Sequence, residues 1–167
     1  MKKLLFLFLV LTNTLISLAQ ENEITTYYFI RHAEKERSDA TNKNPDLTEK
    51  GTARAENWSA VFENVDFDLI YATNYNRTIQ TATPTSKNNK LEIQLYNPRD
   101  LYNNDFKSKT KGKTVLIVGH SNTTPIFVNK IIGLEKYAEI EDTNNSNLYI
   151  VTIANTIMSD ILLKIEF

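Results

Sequence analysis

The chain holds 2 histidines, and both sit in the same local setting. His32 follows the apolar run in "TTYYFIRH", and His120 follows "TVLIVGH". Arg31 stands beside the first, and Arg77 lies just past a third apolar run in "LIYATNYNRTIQTA". A buried cation beside an imidazole is costly without a compensating partner. Two arginines brought together would repel each other unless an anion lay between them. Guanidinium groups match phosphate oxygens bidentately, so the expected occupant is a phosphoryl group.

Other chemistries fail on inventory. Without cysteine, two histidines could hold zinc only with carboxylates, and no H-E-x-x-H spacing is present. The chain has 4 glycines, and "GKT" at 112–114 lacks the upstream glycine of a phosphate-cradling loop. It also precedes its strand, where such a loop would follow one. No metal and no cofactor is expected.

The elements that must position these residues read as an alternation of strands and helices, which predicts an α/β fold. Strands are expected over Thr25–Ile30, in "FDLIYAT", over Ile93–Tyr96 and in "KTVLIVGH". The last is a continuous apolar run of the parallel-sheet kind. In a parallel sheet the C-terminal strand ends face one crevice, so His32 and His120 are expected to meet there. "LTEKGTARAENWSAVFENV" predicts an amphipathic helix capped by Thr48, with Trp58, Val61, Phe62 and Val65 on its apolar face. A second helix is expected over Arg77–Thr83, stopped near Pro84. A third is expected with Pro125 in its first turn and Gly133 at its end. Leu148–Ile153 and Ile157–Ile165 should form a hairpin around "ANT". "KSKTKGK" (107–113) reads as a solvated turn and "DTNNSN" as a loop. The architecture expected is a three-layer sandwich: a mostly parallel central sheet, an antiparallel strand at the C-terminal hairpin, and helices on both faces.

Residues 1–19 read as a signal peptide: Lys2 and Lys3, an apolar run from Leu4 to Leu11, then Ser17-Leu18-Ala19. The apolar run is well short of the ~20 residues a membrane span needs. Cleavage after Ala19 would leave 167 − 19 = 148 residues, a single domain over 20–167 with no membrane span, exported to a bacterial periplasm or secreted. Its charge would be 17 − 20 = −3 once Lys2 and Lys3 are gone, with no footprint for nucleic acid.

Four blocks in order give the chain a resemblance to the histidine phosphatase (phosphoglycerate mutase-like) superfamily. "RHAEK" resembles its Arg-His-Gly/Ala signature, and "LTEKG" its Leu-Thr-x-x-Gly. "YATNYNRTIQTA" is similar to the block leading through Arg to Gln-Thr-Ala, and "VLIVGHSNT" to the block of the second histidine. The resemblance implies that His32 becomes phosphohistidine while Arg31, Arg77 and His120 hold the phosphate oxygens, without metal. Asn74-Tyr75 depart from the family's Pro-Leu, which concerns the pocket wall. Ser121-Asn122 stand where many members have Gly-Gly, so Asn122 is a candidate phosphate ligand. For the general acid the resemblance points to Asp100, with Glu34 and Asp105 as rivals; Asp100 could equally cap a helix over Leu101–Lys109. The implied activity is a phosphatase acting on a small phosphomonoester or phosphohistidine. The alternatives are a phosphate-binding module without turnover and a mutase, which would need closing segments to exclude water.

Overall fold

A computed structural model describes residues 23–167; the expected signal peptide lies outside the described residues. Six strands form one sheet: β1 (Ile24–Arg31), β2 (Leu69–Thr73), β3 (Ile93–Tyr96), β4 (Thr114–Gly119), β5 (Asn147–Ala154) and β6 (Ile157–Lys164). Four helices connect them: α1 (Glu49–Val61), α2 (Asn76–Asn89), α3 (Asn104–Thr110) and α4 (Thr123–Ile132). The strand order is β3-β2-β4-β1-β5-β6. Strands β3, β2, β4 and β1 run parallel, and β5 pairs antiparallel with both β1 and β6. The expected mixed α/β sheet is the one observed.

Residue alternation along the strands divides the core in two, because successive side chains point to opposite faces. Tyr27, Phe29, Tyr71, Val115 and Ile117 pack with Phe106 of α3 and Phe127 and Val128 of α4. Ile30, Ile70, Ala72, Leu116 and Val118 pack on the other face with Trp58 of α1 and Ala82 of α2. Helix α1, which follows β1, and helix α4, which follows β4, therefore lie on opposite faces. The crevice between the C-terminal ends of β1 and β4 is a topological switch point, where open α/β sheets bind their ligands.

Helix α1 starts as expected: the Thr48 side chain accepts from the Gly51 amide at 3.0 Å. Trp58 is fully buried, whereas Val61 is 40% exposed and leaves the apolar face. Two further expectations need correction. Pro84 does not stop α2 but sits buried inside it, and the helix runs to Asn89. Helix termination at proline rests on a lost amide bond and a clash. Here packing against α1 outweighs that cost, and Asn88 and Asn89 tie the last turn to Ser59 and the Phe67 amide. The basic stretch 107–113 is not simply a turn either. Lys107–Thr110 belong to α3, whose cap is Asn103 and not Asp100, and Phe106 and Thr110 anchor it in the core.

Helix α1 presses its N-terminus onto the segment just after His32. The Thr48 amide donates to the Glu34 carbonyl at 2.9 Å, and a Cβ at Gly51 would lie 2.1 Å from that same oxygen. Replacing a helical glycine by alanine ordinarily stabilises by about 1 kcal/mol. For Gly51→Ala the opposite sign is expected, a loss of about 2–3 kcal/mol in urea unfolding, because backbone must move. A stability gain would show that this contact is not as close as described.

Candidate active site

Register brings the two histidines together. Strands β1 and β4 pair Arg31 with Gly119, so the next residues on each, His32 and His120, leave the sheet side by side. The His32 amide donates to the Gly119 carbonyl at 2.9 Å, and the two rings stand 5.4 Å apart, edge to face. Strand β2 pairs Ala72 with Val118, which sets Thr73 beside the same level and Arg77 in the first turn of α2. His32, His120, Arg31 and Arg77 thus converge as expected.

The tautomer of His32 follows from its partner. Its Nδ1 lies 2.8 Å from the Ala33 carbonyl, which can only accept, so Nδ1 carries the hydrogen and Nε2 keeps its lone pair. Ala33 is itself held, its amide donating to Thr81 Oγ1 at 3.0 Å. The His32 carbonyl accepts from Asn145 Nδ2 at 2.7 Å. Burial pushes the imidazole down to about 3, helped by the charge of Arg31, by His120 and by Arg77, with the Ala33 carbonyl opposing.

His120 is ordered by a chain of hydroxyls. Arg77 Nη2 faces its Nδ1 at 3.4 Å and can only donate, which leaves the hydrogen on Nε2, 2.9 Å from Thr73 Oγ1. Thr73 in turn meets Thr78 Oγ1 at 3.0 Å, and Thr78 donates to the Thr73 or Tyr75 carbonyl. Burial, then Arg77, Lys35 and Arg31, bring His120 down to about 4. Tyr75 packs against both: the Arg77 guanidinium lies 4.4 Å from its ring centre, and its ring meets His120 edge-on, but it does not line the cavity over His32.

The two arginines are not equivalent. Arg31 is compensated within the protein: Nη2 donates to Asp142 Oδ1 at 2.7 Å, and Nη1 to the carbonyls of Glu141, Asp142 and Asn144. The expectation that an anion must balance this charge is corrected, because Asp142 does so. Among the described residues Arg77 has no carboxylate partner, and its buried Nε and Nη1 have no hydrogen-bond partner, whereas Arg31 and Arg54 each leave one buried donor unpartnered.

An open cavity of about 530 Å³ lies over His32, lined among others by Glu34, Lys35, Arg37, Lys50 and Asp142. Asp100 and Asp105 are not among its walls; both line a separate cavity with Tyr71, Tyr96 and Phe127. Asp100 there accepts from Asn103 Nδ2, and Asp105 pairs with Lys109. Glu34 is in the right cavity but is clamped by Arg54 at 2.8 Å and by Lys50 at 3.3 Å. Burial pushes its carboxyl up, yet the Arg54 and Lys50 hydrogen bonds hold it below the usual range. Asn122 caps α4 through its side-chain oxygen, which accepts from the Thr123 amide.

Asp142, Asn145 and Lys35 were missed in the sequence. A signal existed for the first two: "DTNNSN" precedes β5, and an antiparallel β5 must begin where β1 ends.

Comparisons with known proteins bear on the fold and on the segment around the first histidine. The model of the histidine phosphatase superfamily (branch 1) matches residues 27–97. No curated protein matches the chain. Among solved structures, SixA from Agrobacterium tumefaciens, a candidate phosphohistidine phosphatase, superposes with a TM-score of 0.61 at 20% identity, covering 83% of this chain and 97% of that one. An α-ribazole phosphatase from Shigella flexneri gives 0.63 at 15% identity, covering 85% and 98%. A phosphoglycerate mutase from Bacillus anthracis gives 0.63 at 14%, covering 86% and 94%. At such identities these structures establish the shared fold. The family match spans the first histidine and both arginines, His32, Arg31 and Arg77.

Both rings should stay neutral well below the ordinary histidine value of about 6.5. The unfolded chain takes up protons near that value, while the folded molecule resists until about 4 at His120 and about 3 at His32. More protons on the unfolded side mean that stability falls on acidification through this window, by on the order of 1 kcal/mol per pH unit for each ring. Imidazole NMR from about pH 8 to about pH 5 should show no titration of either ring. A midpoint near the ordinary value for His32 would contradict the burial described.

Proposed function

We propose that this protein is a metal-independent phosphatase working through phosphohistidine on His32. The observation that carries the reading is the His32 ring itself. Its Nδ1 hydrogen is spent on the Ala33 carbonyl, so Nε2 keeps a lone pair on a ring that lines an open cavity, while Arg77 reaches the ring's neighbour His120 and its charge is felt at His32. Phosphoryl transfer passes through a loose transition state with charge on the equatorial oxygens, so positioning and charge stabilisation supply most of the catalysis. Nε2 attacks phosphorus in line with the leaving group. Arg77 donates to the equatorial oxygens, and the Arg31–Asp142 pair holds the adjoining loop in place. His120 Nδ1 carries no hydrogen and accepts from Arg77; a phosphoryl oxygen that draws the Arg77 donor to itself favours protonation of Nδ1 and turns it into a further donor. Water then hydrolyses the phosphohistidine.

The substrate proposed is a small phosphomonoester or phosphohistidine. The open cavity admits either, and the superposed structures include a candidate phosphohistidine phosphatase and an α-ribazole phosphatase. Residues 1–19 support an exported location for this activity, with the mature domain acting in the periplasm or outside the cell.

Para-nitrophenyl phosphate should be hydrolysed by the wild type in EDTA, with kcat reduced at least about 10³-fold in His32→Ala. A phosphohistidine peptide extends the assay to the second substrate class. Turnover abolished by EDTA, or unchanged in His32→Ala, would overturn the proposal.

A further inference from the structure

The phosphatase reading leaves the leaving group without a proton donor among the expected carboxylates. Asp100 and Asp105 line another cavity. Within the His32 cavity, Glu34 is held by Arg54 and Lys50, and Asp142 by Arg31 and Arg37, so both carboxyls are kept ionised. One polar side chain of that cavity is differently placed. Lys35 is partly buried, lines the cavity with His32, and has no ion pair or side-chain hydrogen bond among the described residues. Its charge is felt at Arg77 and His120, whereas the cations felt at His32 are Arg31 and Arg77. A phosphoryl group on His32 Nε2 would lie in the cavity that Lys35 also lines.

Resting on the phosphatase reading, we propose that Lys35 is the catalytic proton donor to the leaving group. In the first step the His32 Nε2–P bond forms as the bond from phosphorus to the leaving oxygen breaks, and a proton of Lys35 Nζ passes to that oxygen. Phosphohistidine and a neutral amine remain. In the second step water gives a proton to Nζ while its oxygen bonds phosphorus and the Nε2–P bond breaks, restoring both side chains. A lysine suits this exchange when its hold on the proton is loosened. The groups facing it are Arg77 from α2, Arg31 from β1, Arg37 from its own loop, Asp142 from the loop before β5, and His120. Burial first, then Arg77 and Arg37, lower its proton affinity, with Asp142 opposing and Arg31 adding.

The test is kcat/KM, which reports the first chemical step, for para-nitrophenyl, phenyl and alkyl phosphates with wild type, Lys35→Met and Lys35→Arg. Lys35→Met should lose about 10²-fold or more on the alkyl ester and less than about tenfold on the nitrophenyl ester, which needs no proton. Lys35→Arg keeps the charge but does not give up a proton, so its loss on the alkyl ester should persist. Equal losses on all three esters, restored by arginine, would make Lys35 an anion-binding residue and overturn the assignment. Unchanged kinetics in both variants would overturn it too. A wild type active only on a phosphohistidine peptide would overturn the Lys35 assignment alone, and one inactive on that peptide and on all three esters would remove the phosphatase reading and this inference with it.

Discussion

The hydrogen bond from His32 Nδ1 to the Ala33 carbonyl is the contact on which the rest of the site depends. It sets which nitrogen is bare, and it can do so only if Ala33 is fixed. Several unrelated parts of the chain serve that end. Thr81 of α2 holds the Ala33 amide, Asn145 holds the His32 carbonyl, and the N-terminus of α1 closes on the Glu34 carbonyl with no room for a side chain at Gly51. The block "LTEKG" is therefore support for the histidine, and its Lys50 lines the same cavity.

Charge balance explains the remaining layout. Arg31 and Arg37 share Asp142, and Arg54 and Lys50 share Glu34, two clusters at the cavity that each keep one positive charge over. Among the described residues Arg77 and Lys35 have no carboxylate partner, so the six cations around the site exceed Asp142 and Glu34 by 6 − 2 = 4 positive charges, more than the roughly two negative charges a phosphoryl group carries. The neutral histidines between them add nothing to this sum, so Nε2 of His32 stays available for attack.

Much of this was legible in the sequence because it depends on short-range signals. The apolar runs ending in His32 and His120 announced parallel strands meeting at one crevice, and Thr48 announced the start of α1. Pro84 misled because its local rule was overridden by packing between α1 and α2. The acid was misplaced for a different reason: Asp100 lies at a plausible distance along the chain, but α3 and the loop before it turn it into another cavity. Asp142 and Asn145 depend on β5 running antiparallel beside β1, a pairing that no local pattern states. Nothing in the residues around Lys35 sets it apart; the cavity walls and the clamped carboxylates do.

The central claim is that phosphate is carried on Nε2 of His32, and rapid quenching of the enzyme with phosphorus-labelled substrate tests it most directly. The account predicts a label stable to alkali, labile to acid, and located on His32 by peptide mass spectrometry. Turnover without any such label, or a label on another residue, would contradict it.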